Sequence, residues 1–347
     1  MWLISLRDLE WRRRRFVIAV VATGLVFGIT LLLSGMSSGF SNEVDRTVAS
    51  FGADGWVVPK TASGPFTTSA AFPSSVANDV AQISGVHEAS PMVLTRVTVP
   101  GSGGTPTDLV VFGTVIHGVG PRATTGRDPR RSGEIVTDTK LGRDVGQTVT
   151  IGGKRFTVVG TSDGRTVFAG EPTAVIPIQD ARAISFADQP LATAVVTHGA
   201  PQGAPAGYRV LTTTQAAADL RRPLKSATGT ISFLNVLLWI IAAGIIGSIV
   251  YLTVIERTRD FAVLKATGIA SGALFLSLAI EAVVIALAAA IVATVIAVGL
   301  HSALPMRVEI STTSYGALAI IAVVVGILAS LVGLRRAIGV DPALAFG

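Results

Sequence analysis

Glu281 is the one ionisable side chain in the otherwise apolar run from Ala273 to Leu300, and a carboxylate held in such surroundings is costly unless it is paired or functional. No Lys or Arg stands in any apolar run, so its partner would be a hydroxyl, a backbone group, water or a basic residue at the inner interface. The position reads as a structural carboxylate near the preceding charged loop, with proton transport as the alternative. Other residues able to do chemistry are dispersed. His87, His117, His198 and His301 show no paired spacing for a metal, and the chain has no cysteine to supply a thiolate or a disulfide. Neither a Gly-x-x-x-x-Gly-Lys-[Ser/Thr] phosphate loop nor a Gly-x-Ser-x-Gly elbow occurs. These patterns predict a chain that is not an enzyme and holds no cofactor or metal, with any ATP hydrolysis supplied by a partner.

The densest cluster of side chains suited to binding a partner follows the second apolar run. Glu256, Arg257, Arg259, Asp260 and Lys265 alternate with Phe261 and Leu264, and the segment closes at Gly268. Residues three apart share a helix face, so Phe261 and Leu264 could enter a groove on a partner while the charges hold the register. A solvated connecting loop flanked by topogenic charges explains the same composition. The residues by themselves leave both readings open.

Four apolar stretches position these groups: 16–36, 231–255, 273–300 and 316–334. Each can cross a hydrocarbon core, which needs roughly 20 apolar residues, and the third is long enough to tilt. Half of the chain is hydrophobic and 14% is charged, with a mean hydropathy of +0.61, values foreign to a water-soluble domain of this size. Residues 16–36 are too long for a signal-peptide core and read as a retained anchor. Ahead of them, Trp2, Leu3, Leu6 and Leu9 recur at helical spacing, which predicts an amphipathic elbow over 1–15 lying in the membrane interface, or else an extended start of the first helix. Basic residues crowd one side of the spans: Arg7 and Arg12 to Arg15, the loop 256–272, and Arg335 with Arg336 in the tail 335–347. Only Arg307 stands in the opposite short loop, 301–315. The positive-inside rule then puts both termini in the cytoplasm and residues 37–230 outside, in a multi-pass protein of the plasma membrane.

The formal charge of +6 requires no nucleic acid. Residues 37–230 carry 17 basic and 15 acidic side chains, and the remaining excess sits where anionic lipid attracts it. The expected architecture is an α-helical membrane protein with four transmembrane helices and a mixed α/β extracytoplasmic domain inserted between the first and second.

Within the outer segment, Gly55–Pro59, Val93–Val99 and Leu109–Val115 read as strands, and Ser74–Ile83 as a helix with Val76, Val80 and Ile83 on one face. Gln147–Ile151 and Arg155–Val159 flank Gly152-Gly153, a hairpin signal. Thr173–Ile178 and Ala192–Thr197 add strands, and Gln179–Phe186 a short helix. Residues 199–207, rich in Gly and Pro, form a loop. Thr213 or Thr214 would cap a helix that continues into the second span, with Pro223 as a possible kink. No pocket signature is visible. Small residues four apart, Gly24 with Gly28, Ala243 with Gly247, and Gly244 with Ser248, are candidates for a helix contact with a second copy of the chain.

The run Val254 to Gly268 is very similar to the signature of FtsX-like permeases, the MacB and LolC class of ABC transporter membrane subunits, with Asp260 where the family usually has Glu. The tail from Arg335 through Asp341-Pro342-Ala343 to Ala345 resembles the family's closing motif, and Asp341-Pro342 is a sound helix start in its own right. Gly133 to Thr137, Leu141-Gly142, Val145 to Val149 and Phe156 to Gly160 resemble its extracytoplasmic core domain. The resemblance spans the whole chain and implies that 256–268 is a coupling helix on a separate cytoplasmic ABC ATPase dimer, which would bind ATP and Mg. It further implies a second permease copy or paralogue, contact with membrane lipid, possible engagement of an extracytoplasmic protein, and transmission of ATP-driven closure to the outer domain. A regulator of a cell-wall hydrolase is the rival within the family, and an ATPase-independent sensory or adhesion protein is the rival outside it. No nucleotide-binding domain is fused here. The third span is alanine-rich where many relatives are glycine-rich, which leaves its close packing in question.

Overall fold

The computed structural model describes residues 13–67, 70–101, 105–267, 270–300 and 308–338. Most of the expected elbow, Gly268 and the closing motif from Asp341 onward lie outside the described residues. In chain order the elements begin with helix α1 (Arg13–Ala49), strands β1 (Gly55–Pro59) and β2 (Phe72–Pro73), helix α2 (Val76–Ala81) and strands β3 (Glu88–Pro100) and β4 (Pro106–Thr114). Strands β5 (Thr125–Gly126), β6 (Glu134–Asp138), β7 (Thr148–Ile151), β8 (Lys154–Ser162), β9 (Thr166–Val167) and β10 (Glu171–Pro177) follow. Helix α3 (Ile178–Phe186), strands β11 (Leu191–Ala192), β12 (Ala194–His198) and β13 (Tyr208–Thr212) and helix α4 (Thr213–Arg221) lead to the long helices α5 (Lys225–Glu256), α7 (Ser271–Leu300) and α8 (Thr312–Ile338), with the short α6 (Thr258–Ala266) after α5. Two compact units result, Met1–Gly39 with Thr228–Gly347, and Phe40–Ala227.

The unit Phe40–Ala227 is built on a mixed sheet in the order β13-β1-β12-β3-β4-β10-β6-β8-β5, with β7 beside β8 and β9 beside β10. Pairs β4/β10 and β6/β8 are parallel; the other neighbours are antiparallel. Strand β3 pairs with β12 through Glu88–Met92 and with β4 through Val93–Pro100, so one long strand serves two packed halves. In the first half, Val76, Ala77 and Val80 of α2 bury against Val57, Phe72 and Val195, the face that helical spacing singles out. In the second, Leu109, Ile135, Phe156, Val158 and Ile176 form the core beneath Ala181 of α3. Phe51, Trp56, Phe66 and Phe112 stack edge to face, with Phe51 and Trp56 centroids 4.8 Å apart and Phe51 and Phe112 5.1 Å, a geometry set by the ring quadrupoles.

Most local expectations for this unit correspond to elements. The β7–β8 hairpin turns on Gly152 and Gly153 at φ +56° and +78°, where glycine meets no Cβ penalty. Several points differ. The residue patterns place no strand at β6, at β13 or at the two-residue strands β2, β5, β9 and β11; Tyr208–Thr212 directly follows a Gly/Pro loop and is too short to show alternation. The cap of α4 is Thr212, not Thr213 or Thr214: its hydroxyl accepts from Gln215 N while the Gln215 side chain accepts from Thr212 N, a capping box. Pro223 does not kink a helix but sits in a 3₁₀ turn, Arg222–Leu224, that joins α4 to α5.

Among the described residues, four helical segments are long and apolar enough to cross a membrane, lying in α1, in the run from α4 through α5, in α7 and in α8. Their shared core includes Phe27, Leu31, Ile246 and Val250. Along α7, Ala282, Ala286, Ala289, Ala293 and Ala297 are fully buried. Alanine is therefore small enough for close packing in this span, which answers the question its composition raised. A glycine on the neighbour adds to this on the α8 side: a Cβ on Gly326 would lie 3.0 Å from Val283 Cα.

Candidate functional site

The charged segment after α5 folds as two helical pieces. Thr258 hydroxyl donates to Val254 O (3.1 Å) and Ile255 O (2.7 Å), and Arg257 N to Thr253 O (3.1 Å), so the end of α5 is tied down where the chain enters α6. Arg257 Nε stands 3.6 Å from Asp260 Oδ2, and Arg15 pairs with Glu256. Asp260 occupies the first turn of α6, where a carboxylate complements the positive end of the helix dipole. Ala262 is fully buried while Val263 is exposed, and Arg259 and Asp260 are exposed too, giving α6 one covered and one open side. The side chains of Phe261, Leu264 and Lys265 lie outside the described residues, as does Gly268.

The small-residue pairs divide. A Cβ on Gly24 would stand 2.8 Å from Val292 Cγ1 of α7, and one on Gly28 3.3 Å from Ile296 Cγ2. These two glycines let α1 approach α7 of the same chain, which corrects their assignment to a contact between copies. Their spacing reported a close approach correctly, but spacing cannot say which helix approaches. Gly244 faces open space and Ser248 is exposed, its hydroxyl donating to Gly244 O at 2.8 Å. Ala243 is half-buried and Gly247 buried, so only the Gly244 and Ser248 face of α5 is open to a second helix. Glu281 is half-buried on α7.

In the unit Phe40–Ala227, buried carboxylates act as clamps that composition did not reveal. Asp219 of α4, 1% exposed, accepts from Phe66 N (2.9 Å) and Thr67 N (3.1 Å), and a Cβ on Gly64 would overlap its carboxyl. Glu134 accepts from both Arg127 guanidinium nitrogens at 2.7 Å, from Arg131 Nε at 3.0 Å and from Arg130 N at 2.9 Å. The bidentate Arg127 contact is the main cause that holds its carboxyl down at about 2. Asp138 accepts from Lys140 N (3.0 Å) and Arg165 N (2.8 Å), yet burial pushes its carboxyl upward.

The Asp219 clamp holds one wall of a cleft of about 630 Å³. Phe66, Phe168, Phe186 and Leu224 supply apolar surface, and Arg96, Glu171 and Ser185 the polar groups. Arg96 pairs with Glu171 and stacks over the Phe168 ring, 5.3 Å from its centroid. Phe168 and Ala169 both adopt left-handed backbone, φ +51° and +70°, which costs roughly 1–2 kcal/mol per non-glycine residue. No sequence signal marks this cleft, because its walls come from six separated segments.

Two domain families match the chain. Residues 16–219 match the MacB-like periplasmic core domain, and residues 232–342 the FtsX-like permease C-terminal domain. Uncharacterized ABC transporter permeases of Mycobacterium bovis and Mycobacterium tuberculosis are 40% and 41% identical over 348 residues, covering 100% of this chain and 99% of each relative. The chain belongs to the FtsX/MacB-type ABC transporter permeases. Among solved structures, the permease is similar to the extracellular domain of the noncanonic ABC-type transporter YknZ from Gram-positive bacteria, at 15% identity and TM-score 0.33 over 46% of this chain and 99% of that one. The periplasmic region of MacB from Actinobacillus actinomycetemcomitans gives 13% identity and TM-score 0.32 over 54% of this chain and 89% of that one. Likenesses this weak add nothing to the sequence match. Membership makes the permease a membrane protein with an extracytoplasmic domain, and it implies a partner ATPase.

Proposed function

We propose that the permease is the non-catalytic membrane subunit of an ATP-driven complex, in which a separate cytoplasmic ATPase dimer binds ATP and Mg and docks on α6. Glu256, Arg257, Arg259 and Asp260 orient the contact, Phe261 and Leu264 fill the groove, and Lys265 and Gly268 close it. Closure of the ATPase moves α6 and with it α5. The motion passes to the outer domain, which acts on a lipid, lipopeptide or protein for export or extraction. Both termini stand in the cytoplasm, and a second permease copy or paralogue meets the Gly244 and Ser248 face of α5.

The observation that supports this reading is the continuity of helix. Residues Thr213–Glu256 form a helical run of 44 residues, starting at the Thr212 capping box, passing through the 3₁₀ turn Arg222–Leu224 that joins α4 to α5, and ending at the first residue of the charged segment. A helix transmits a push along its axis because every backbone hydrogen bond lies parallel to that axis. Copurification tests the docking. Burying Phe261 and Leu264 contributes about 2 kcal/mol each, so a Phe261→Asp, Leu264→Asp double variant should insert normally and lose the ATPase on affinity purification. A full complement of ATPase on that variant removes α6 as the docking element.

A further inference from the structure

One face of the outer unit collects arginine. On β8, Phe156 and Val158 are buried in the core beneath α3 while Arg155 and Thr157 are exposed, so the latter two point to the opposite side of the sheet. Glu134 is the register partner of Thr157 on the parallel strand β6 and shares that side. It gathers the loop before it: Arg127 and Arg131 reach its carboxylate through their guanidinium groups, and Arg130 through its backbone N. This segment runs beside β8, with Thr157 N donating to Gly133 O at 2.8 Å. Ala123 packs over Val136 and Val159 on the same face, and the adjoining Arg122 pairs with Asp128 at 3.4 Å. Five arginines therefore stand against two carboxylates. The rest of residues 37–230 carries 12 basic and 13 acidic side chains, so the positive excess of the whole segment lies here.

The carboxylates of this face are occupied, and its guanidinium groups are not. Glu134 is 4% exposed and accepts from four donors, whereas Arg131 uses only Nε and its side chain is 82% exposed. Among the described residues, the Arg130 and Arg155 side chains are exposed and make no ion pair. Guanidinium takes phosphate or carboxylate oxygens two at a time. Around Arg155 the exposed neighbours are the hydroxyls of Thr148, Thr150 and Thr157, further donors for an acceptor-rich partner. A protein partner would need an apolar or aromatic centre, and a face that enters a membrane carries large apolar side chains. In the unit Phe40–Ala227, Val145 is the only large hydrophobic side chain exposed among the described residues. We infer that this face binds an extracytoplasmic polyanion, a polymer whose repeating phosphate or carboxylate groups pair with Arg130, Arg131 and Arg155. A chain of charges suits arginines spread over a loop and a strand better than a single ion does. The contact requires neither α6 nor the cleft.

The full permease in nanodiscs of zwitterionic lipid, without any ATPase, is titrated with fluorescein-labelled inorganic polyphosphate or polygalacturonate and read by anisotropy. At least one polymer should bind, and the preferred one identifies the anion as phosphate or carboxylate. Its affinity should fall about tenfold between roughly 50 and 200 mM salt, as counterions condensed on the polymer are released. Arg130→Glu with Arg155→Glu should weaken binding about tenfold, and the milder Arg130→Gln with Arg155→Gln about threefold. Neither pair should shift the melting temperature, since neither side chain has a partner to lose. Lys60→Glu with Lys140→Glu makes the same change in net charge away from the face, and screening over about 10 Å should leave the affinity within about twofold. Equal loss from the two charge reversals would mean diffuse attraction and overturn the face, as would no salt-dependent binding of either polymer. Displacement of the polymer by phosphatidylglycerol vesicles but not by phosphatidylcholine vesicles, at equal lipid phosphate, would make the partner a lipid surface and overturn the polymer.

Discussion

Glycine at position 24 illustrates how one missing methyl group determines a helix contact. Any side chain there must displace Val292, 2.8 Å from the position of a Cβ, and overpacking of a tight core costs about 1–3 kcal/mol. Gly24→Leu is therefore expected to lower the thermal stability of the permease in detergent. Gly244, with nothing within 4 Å, should accept Leu without that loss, while cross-linking between copies decreases. Reversal of the two outcomes would move the interface to α1. Glu134 makes a second prediction at this scale. Its carboxyl is held at about 2 in the fold against 4.5 for a free one. A depressed carboxyl contributes stability that is fully present above about pH 4.5 and is lost as pH falls toward 2. Asp138, raised by burial, has the opposite sign, its contribution fading as pH rises through its folded value. Melting curves between pH 6 and 3 should show a shallower acid limb for Glu134→Gln than for the parent chain. An unchanged slope would mean that the Arg127 pair is too well screened to matter.

Among the elements, the run from α4 through the 3₁₀ turn into α5 carries the mechanical argument. It is anchored at its outer end by the Thr212–Gln215 capping box and by Asp219, which holds the backbone of Phe66 and Thr67. Stiffness along this run is required by transmission and irrelevant to ATP hydrolysis. A flexible Gly-Ser segment inserted after Lys225 should leave basal ATPase activity of the complex intact and abolish the outer activity. Retention of the outer activity would show that force travels by another helix, with α1 the next to test. Secondary structure here was legible from the residues. The threonines at 213 and 214 predicted the start of α4, and the apolar run after 230 predicted α5. The cap was misplaced by one or two residues because Thr212, Thr213 and Thr214 are chemically equivalent, and only the backbone at Thr212, φ −73° and ψ 164°, distinguishes them.

For the whole molecule, the polar groups buried among the apolar helices bear on the proposed choice of transmission over conduction. Thr30, Thr253 and Ser330 are buried, and each hydrogen-bonds to a carbonyl of its own helix. Asn235 reaches Ser34 Oγ at 3.2 Å. These groups are scattered over different helices; the three hydroxyls are satisfied within their own helix, while Thr23 Oγ1, Asn235 Oδ1 and Trp239 Nε1 are buried with no hydrogen-bond partner among the described residues. A hydrophilic solute would leave its water without replacement, at a cost of roughly 2 to 7 kcal/mol per unpaired polar group. Proteoliposomes holding only the permease and its ATPase should hydrolyse ATP without accumulating a soluble solute such as an amino acid. ATP-dependent accumulation would exclude the transmission mechanism.

Composition and periodicity by themselves determined that this chain places four apolar helices around a large polar segment, because the length and hydropathy of a span are local quantities that the bilayer fixes from outside. The charged run Glu256 to Lys265 was legible for a related reason: a helix face is set by spacing alone. Partner choice was not. Gly24 and Gly28 announced a close approach, but that the partner is α7 and not a second copy depends on how four helices pack. The cleft was equally hidden, since Arg96, Glu171 and Ser185 lie on β3, β10 and α3, and only the pairing of β4 between β3 and β10 brings them to one wall. Contacts between residues distant in the chain are made by sheet register and helix packing, and no short-range pattern encodes either.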